Sequence, residues 1–200
     1  MLKAYYSDKF IEAGLDEAGR GCLAGPVVAA YCILPKDYFH PFLNDSKKLT
    51  KKQRDTVRKE IEKEALEFSI AEVCNNEIDK INILNASFLA MHKALDCATC
   101  PPELLLVDGN RFKQYRDIPH ECIVEGDGKF FSIAAASVLA KTFRDELMVK
   151  LSEDYPSYSW EKNMGYATAS HRKAIKKFGV SPFHRKSFLQ NTLQLNLFED

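Results

Sequence analysis

The chain lacks any apolar run near the ~18 residues that a bilayer-spanning helix requires. Its opening residues, MLKAYYSDKF, lack the apolar core of a secretory signal peptide. No Pro-, Gly- or Ser-rich linker divides it, and no internal repeat is present. We therefore expect a cytoplasmic protein with one substantial domain, because a hydrophobic content of 46% in 200 residues can form a single core.

The six cysteines form no recognisable metal or disulfide pattern. Only Cys97 and Cys100 are closely spaced, and neither a second pair nor a nearby histidine completes a zinc site. We expect reduced thiols that are mostly buried.

An excess of one charge sign is also absent, since 28 basic residues balance 28 acidic ones. The distribution is nevertheless uneven. No acidic residue lies between Lys162 and Phe198, whereas seven basic residues lie in that stretch, and a second basic cluster includes Lys47 and Lys48. Such clusters are often solvated helix faces, but they also suit contact with a phosphate backbone.

Hydrophobic periodicity predicts alternating strands and helices. Strands are predicted near residues 10–17, 26–34, 67–74, 104–107 and 121–125, and helices near 50–66, 77–95, 130–151 and 167–178. Leading strands followed by strand–helix units are typical of the α/β class, with a mixed five-stranded sheet flanked by helices. The last helix and the residues around it form a helical C-terminal appendage.

The most informative stretch is GLDEAGRG at residues 14–21, where Asp16 and Glu17 end an apolar strand. Neighbouring side chains on a strand point to opposite faces, so both acids cannot enter one solid core. A divalent cation would keep them charged, because hard oxygen ligands suit Mg²⁺ and Mn²⁺. The glycines allow close backbone approach, and Arg20 suits a phosphate. The alternative is a strand-to-turn exit with solvated acids.

Two further acids lie at positions that the fold could bring to the same edge of the sheet. Asp108 follows the apolar run Leu104–Val107, and Asp127 precedes a predicted helix. Together with the first pair they could hold two cations about 3.5–4 Å apart, the arrangement for in-line phosphodiester hydrolysis. Capping of the helix is the alternative for Asp127. Asp145 lies too far along that helix to join them, and we expect it to pair with Lys141 or Arg144.

Seven motifs occur in the order found in the ribonuclease HII family, the bacterial type 2 ribonucleases H, which this chain resembles. They are GLDEAGRG (14–21), DSKKL (45–49), LVDG (106–109), GDGK (126–129), SIAAASVLAK (132–141), GY (165–166) and PFHRKSF (182–188). Two residues depart from the family pattern: Cys22 stands where proline is usual, and Ala167 where glycine is usual. Neither departure removes a functional group.

The resemblance implies a ribonuclease H-like fold and a metal-dependent endonuclease that cuts the RNA strand of RNA–DNA hybrids. It also implies cleavage 5′ of single ribonucleotides embedded in DNA, leaving 3′-hydroxyl and 5′-phosphate ends, as in primer removal and ribonucleotide excision repair. Residues 1–188 would form the catalytic domain, of which about 155–188 are a basic substrate-binding appendage. Residues 189–200 would form a tail.

Site roles follow from the same motifs. By resemblance, Asp16, Glu17, Asp108 and Asp127 are the catalytic carboxylates that hold two Mn²⁺ or Mg²⁺ ions. Gly19, Arg20, Gly21 and Tyr166 match the groups that read the ribose at an RNA–DNA junction, where the 2′-hydroxyl alone distinguishes RNA. Further contacts with nucleic acid are expected from Lys47, Lys48, His184 and Arg185. For His171 and His184, local packing is the alternative.

The tail carries a possible docking peptide. Gln194, Leu195, Leu197 and Phe198 resemble the Gln-Leu-x-Leu-Phe peptide with which bacterial repair proteins bind the sliding clamp. Its apolar side chains could anchor in a groove. The alternative is that they fold back on the domain. We expect a monomer.

Three other functions are alternatives, and the sequence disfavours each of them. A type 3 ribonuclease H would carry an extra N-terminal domain, for which the ten residues before the first strand leave no room. A transposase- or resolvase-like nuclease would have no use for the Gly-Arg-Gly loop. A non-catalytic nucleic-acid-binding or clamp adaptor would not need all four carboxylates.

Overall fold

The computed structural model describes residues 2–43 and 49–189. The predicted nucleic-acid contacts Lys47 and Lys48 lie outside the described residues. So do the predicted docking residues Gln194, Leu195, Leu197 and Phe198.

A mixed five-stranded sheet organises the molecule, as predicted. The strands are β1 (Glu12–Ala18), β2 (Val27–Ile33), β3 (Glu67–Val73), β4 (Leu104–Asp108) and β5 (His120–Ile123). Their order is β3-β2-β1-β4-β5, with β1–β2 and β2–β3 antiparallel, and β1–β4 and β4–β5 parallel. The parallel β1–β4 pair matters for the site, because the carboxyl ends of both strands lie at the same edge of the sheet.

Six helices accompany the sheet in the described part of the chain. They are α1 (Lys51–Glu64), α2 (Asn75–Ile81), α3 (Ile83–Asp96), α4 (Phe131–Asp154), α5 (Trp160–Asn163) and α6 (Ala169–Phe178). Thr50 caps α1, accepting a hydrogen bond from the Gln53 backbone N–H while the Gln53 side chain accepts one from the Thr50 N–H.

The single helix predicted over 77–95 is wrong, since the chain breaks there into α2 and α3. Asn82 adopts a positive φ of 66° at the break, and its side chain accepts a hydrogen bond from the Asn85 N–H. Asparagine tolerates this backbone region and satisfies a free donor of the next helix at the same time.

Two apolar layers enclose the sheet. Val28, Ala30 and Cys32 of β2 face one layer, which includes α4 and the buried side of α1, and the intervening residues of β2 face α3. This inner strand is therefore buried on both faces, which explains its continuous apolar sequence. In the described part of the chain, no helix is both long and apolar enough to cross a membrane.

Helix α4 approaches β1 very closely. A Cβ at Gly14 would come within 2.4 Å of backbone atoms of Ser132 and Ile133, so only glycine fits here. The run Ala134–Ala136 is fully buried, and its small side chains keep α4 near the sheet. This packing brings the following turns of α4 to the carboxyl end of β1.

A smaller apolar cluster joins the helical appendage to the rest of the chain. Trp160 and Ile175 of the appendage contact Met148 of α4 and Leu23 of the loop between β1 and β2. The six thiols are free, but the expectation that most are buried is wrong. Only two are buried, one is half-buried and three are exposed: Cys22 and Cys32, then Cys122, then Cys74, Cys97 and Cys100.

Candidate active site

Three of the four predicted carboxylates line one cleft at the carboxyl ends of β1 and β4. Leu15 pairs with Val107 in the parallel ladder, so Asp16 and Asp108 follow on adjacent strands. The cleft has a volume of about 340 Å³. It is lined by Asp16, Glu17, Ala18, Gly19, Arg20, Gly21, Asp108, Ser137, Lys141 and Tyr166.

Asp16 lies deepest in this acidic group. Its Oδ1 accepts a hydrogen bond of 2.7 Å from the Glu17 N–H, and the Ser137 side chain also bonds to it. Burial raises the pKa of Asp16 well above its usual value, and the neighbouring charges of Glu17 and Asp108 raise it further. The cleft therefore holds more negative charge than its own hydrogen bonds offset.

The other two acids of the cleft have polar partners. Glu17 pairs with Arg20 at 3.0 Å, although the Arg20 side chain is half exposed. Asp108 Oδ1 accepts a hydrogen bond of 2.7 Å from the Gly126 N–H. This last bond fixes the turn Gly126–Gly128 beside the end of β4.

Asp127 lies in that turn, is buried, and is not among the residues that line the cleft. Phe130, and not Asp127, occupies the N-cap position of α4. Across residues 2–43 and 49–189, no three or more His, Cys, Asp or Glu side chains are arranged so that they could hold a metal ion together. The structure thus brings together three carboxylates, with the fourth in the adjoining turn.

The Gly-Arg-Gly loop depends on a buried arginine that the sequence patterns did not single out. Gly19 has a φ of 95°, and a Cβ there would lie 2.0 Å from Nε of Arg144. Arg144 donates hydrogen bonds of 2.8–3.0 Å to the carbonyl oxygens of Ala24, Pro26 and Met164. It therefore ties the loop after β1 to the segment that carries Tyr166.

Arg185 does not reach the surface where a nucleic-acid contact was expected. It is 0% exposed and donates to the carbonyl oxygens of Arg20, Gly25 and Pro26 at 2.8–3.1 Å. Burial lowers the pKa of Arg185 to about 10. The side chain supports the loop from beneath.

His184 is likewise inside, with 1% of its surface exposed. Its Nε2 lies 3.2 Å from Nε2 of His171, and both rings pack around Trp160. Of the two expectations stated for these histidines, the structure places them in local packing.

Tyr166 is at the rim of the cleft and is 39% exposed. An antiparallel backbone bridge joins it to Cys22, directly after the Gly-Arg-Gly loop. Lys141 Nζ lies 5.8 Å from the centre of its ring and forms an ion pair with Asp145 at 2.6 Å. The predicted pairing of Asp145 with Lys141 is confirmed.

Comparison with known proteins identifies the family of this chain. A family model described as Ribonuclease HII matches residues 13–191. Ribonuclease HII of Bacteroides thetaiotaomicron is 58% identical over 198 residues, covering 98% of this chain and 99% of the relative. Ribonuclease HII of Cytophaga hutchinsonii is also 58% identical over 198 residues, covering 98% of both chains.

Solved structures share the fold at lower identity. Ribonuclease H2 from Pyrococcus horikoshii aligns with a TM-score of 0.75 at 22% identity, covering 94% of this chain and 99% of that one. A chain of the PCNA:RNase HII complex from Archaeoglobus fulgidus aligns with a TM-score of 0.70 at 24% identity, covering 88% and 94%. Bst-RNase HIII in complex with Mn²⁺ aligns with a TM-score of 0.66 at 17% identity, covering 98% and 72%.

The sheet order, the acidic cleft and the Gly-Arg-Gly loop together define a nuclease of the type 2 ribonuclease H class. With a family match over most of its length and relatives at 58% identity, the chain belongs to the ribonuclease HII family. Membership implies cleavage of the RNA strand of RNA–DNA hybrids.

Removing one charge from the cleft should raise the stability of the protein and lower its activity. Asp16→Asn keeps the side-chain volume and removes a charge that burial opposes, so the melting temperature of the metal-free protein should rise. Hydrolysis should fall by more than about 100-fold, because even residues that only support metal ligands contribute about 10–100-fold. Calorimetry and a cleavage assay measure the two effects. Asp108→Asn is the companion variant, and near-normal cleavage by either would remove that residue from the catalytic set.

The buried His184 should make the fold sensitive to mild acid. Burial, and secondarily His171, lower its pKa from 6.5 to about 4, so between these values the unfolded chain binds more protons than the folded one. The free energy of unfolding should therefore fall by up to about 2 kcal/mol between pH 7 and pH 5. Urea titrations measure it, and His184→Gln should flatten the slope against pH. An equal slope in that variant would contradict the assignment.

Proposed function

We propose that the chain is an endoribonuclease that cuts the RNA strand of RNA–DNA hybrids and cuts 5′ of single ribonucleotides embedded in duplex DNA. Hydrolysis leaves 3′-hydroxyl and 5′-phosphate ends, which suits ribonucleotide excision repair and primer removal. One observation carries the proposal: the acids of β1 and β4 share a cleft with the Gly-Arg-Gly loop and Tyr166. Hydrolytic groups and sugar-reading groups thus face the same substrate.

The acids of the cleft fit a divalent cation by their chemistry. Asp16, Glu17 and Asp108 offer hard oxygen ligands, and burial together with the neighbouring charges of Glu17 and Asp108 raises the pKa of Asp16. Asp127 is proposed as the fourth ligand, from the turn that Asp108 holds in place. Two bound Mn²⁺ or Mg²⁺ ions would supply activation of the attacking water and stabilisation of the leaving oxygen. A structural relative, Bst-RNase HIII, is in complex with Mn²⁺.

Sugar reading is assigned to the loop and the tyrosine. Backbone N–H groups of Gly19–Gly21 can approach a ribose closely, since Gly21 has open space where a Cβ would stand. The Tyr166 ring borders the same cleft, and its hydroxyl, which bonds to the Cys22 thiol, is the group proposed to contact the ribose. A 2′-hydroxyl that bonds to both would distinguish the ribonucleotide from its deoxy neighbours.

The experiment that tests the proposal compares three labelled duplexes with Mn²⁺ or Mg²⁺: all-DNA, DNA with one ribonucleotide, and a long RNA–DNA hybrid. The two ribose-containing duplexes should be cut faster than the all-DNA duplex by a factor of about 10⁴ or more, because a site built to bond a hydroxyl strongly rejects a substrate that lacks it. Cleavage of all three would indicate a nuclease indifferent to the sugar. Binding without cleavage would indicate the adaptor.

Tyr166→Ala should remove most of the activity on a single embedded ribonucleotide, because the side chain that contacts the sugar is lost. The reduction in kcat/KM on that duplex measures the effect. Phe178→Ala, an exposed ring at the end of α6 and outside the cleft, is a control that should stay active. An unchanged rate for Tyr166→Ala would rule out the junction-reading role.

We further propose that the tail docks on a sliding clamp. The sequence Gln194-Leu195-Asn196-Leu197-Phe198 offers two leucines and a phenylalanine as anchors, with Gln194 supplying hydrogen bonds. A structural relative from Archaeoglobus fulgidus forms a complex with PCNA.

Deleting residues 194–200 should leave hydrolysis of a short free duplex unchanged and abolish binding to the clamp of the same cell, measured by surface plasmon resonance. Substituting Glu199 and Asp200 alone with Gln and Asn controls for the loss of terminal charge. Unfolding after the deletion, or clamp binding that survives it, would show that the tail is structural instead.

A further inference from the structure

Backbone bridges join three segments of the chain next to the cleft. The central one, residues 22–24, is bridged by its backbone to Tyr166 through Cys22 and to His184 through Ala24. The Leu23 N–H donates to the Gly165 carbonyl, and the Leu23 carbonyl accepts from the Arg185 N–H, both at 2.8 Å. The segment that carries Tyr166 and the segment that carries His184 are thus both fixed to the loop that follows Gly-Arg-Gly.

The imidazole rings of His171 and His184 also connect the segments that carry Tyr166 and His184. His171 Nδ1 lies 2.8 Å from the carbonyl oxygen of Tyr166, and His171 Nε2 lies 3.2 Å from Nε2 of His184. Trp160 Nε1 donates to His171 Nε2 at 3.0 Å, and the Ser181 N–H donates to His184 Nδ1 at 2.9 Å. The side chains therefore join Ser181 to the backbone of Tyr166.

The partners dictate one proton arrangement. The Ser181 N–H can only donate, so His184 Nδ1 accepts and its proton is on Nε2, which points to His171. The Trp160 N–H can only donate, so His171 Nε2 accepts and its proton is on Nδ1, directed at a carbonyl that can only accept. With both rings neutral, the Trp160 N–H at 3.0 Å and the His184 N–H at 3.2 Å share the single lone pair of His171 Nε2, and the Nδ1 atom of each ring keeps its own partner. Burial lowers the pKa of both histidines, which supports that state.

The backbone around Tyr166 is unusual, although local bonds also hold it: its N–H donates to the Asn163 carbonyl at 2.9 Å, and its carbonyl accepts from the Thr168 N–H at 2.8 Å. Met164 and Gly165 directly before it have positive φ values of 50° and 80°. Methionine adopts this region at a cost, which surrounding contacts must offset. At the other end of the chain of bonds, Asn75 Nδ2 donates to the carbonyls of Pro182 and His184, anchoring that segment to α2.

We propose that His171 and His184 are positioning residues for sugar reading: as a pair of neutral imidazoles they fix the carbonyl of Tyr166, and through it the tyrosine side chain, against the Gly-Arg-Gly loop. This inference rests on the proposed role of Tyr166 in reading the ribose. The histidines act through Tyr166 and touch neither the substrate nor the reacting atoms.

A double-mutant cycle in the full chain tests the inference. His171→Phe keeps a ring but removes both nitrogens, and kcat/KM for a duplex with one ribonucleotide should fall about 10- to 100-fold, as expected for a misplaced positioning group. In a Tyr166→Ala background, measured in single turnovers with excess enzyme, the same change should cost less than about 3-fold, because coupled residues are non-additive. An equal loss in both backgrounds overturns the inference, as does full activity of His171→Phe.

Two further variants separate positioning from plain structural support. Tyr158→Phe removes a hydroxyl that bonds to the Gly179 carbonyl in the same small core, so it controls for lost packing and should leave kcat/KM unchanged in both backgrounds. His171→Asn retains a donor near the Nδ1 position and should recover most of the activity that His171→Phe loses. If His171→Phe fails to fold, the spectroscopic measurement on the unaltered protein tests the inference without it.

A spectroscopic measurement on the unaltered protein is independent of activity. Nitrogen-15 correlation spectra of the imidazoles should show His171 protonated on Nδ1 and His184 on Nε2, both neutral at pH 6. A charged ring or the opposite tautomer at either position overturns the inference. If Tyr166→Ala itself is fully active, the proposed reading site fails and the inference with it. If Tyr166→Ala is impaired while the His171 effect is independent, the inference alone fails.

Discussion

The close contact between β1 and α4 at Gly14 is the constraint on which the site depends. Because glycine places no side chain between the strand and the helix, the backbones of β1 and α4 are in close contact, and this contact fixes the distance of α4 from the carboxyl end of β1. Its residues at successive turns then serve different parts of the molecule: Ser137 bonds to Asp16, Lys141 lines the cleft, and Arg144 binds the loop after β1. One helix face thus sets the relative positions of the acids, the cleft wall and the Gly-Arg-Gly loop.

Two buried arginines define the electrostatics behind the cleft. Arg144 and Arg185 are both fully buried, and among the described residues neither forms an ion pair with a carboxylate. Each is satisfied by three backbone carbonyl oxygens, and they share the carbonyl of Pro26. Two positive charges thus lie under the Gly-Arg-Gly loop, a favourable background for a polyanion at its outer surface. The site therefore combines negatively charged side chains in the cleft with two buried arginines beneath the loop.

Local patterns predict the sheet and the acidic edge well, and they fail where distant segments decide. The alternation before Asp16 and the apolar run before Asp108 are enough to place both acids at strand ends, and the parallel pairing brings them together. The break at Asn82 was missed because the apolar spacing continues across it. Arg185 lies in a basic run that predicts a solvated surface, yet its partners are carbonyls about 160 positions earlier in the chain, which no local pattern reveals.

The small cluster around Trp160 draws Leu23 and Ala24, from the loop between the first two strands, into a core formed mainly by the appendage. That loop therefore belongs to two cooperative units at once. Opening of the appendage, a local event that needs no melting of the sheet, would release Tyr166 and loosen the loop together while Asp16 and Asp108 stay in place. If Tyr166 and the loop read the ribose as proposed, such a partly opened molecule would keep the acids of the cleft and lose its discrimination between sugars, so fidelity would be the less stable property of this enzyme and catalysis the more stable one.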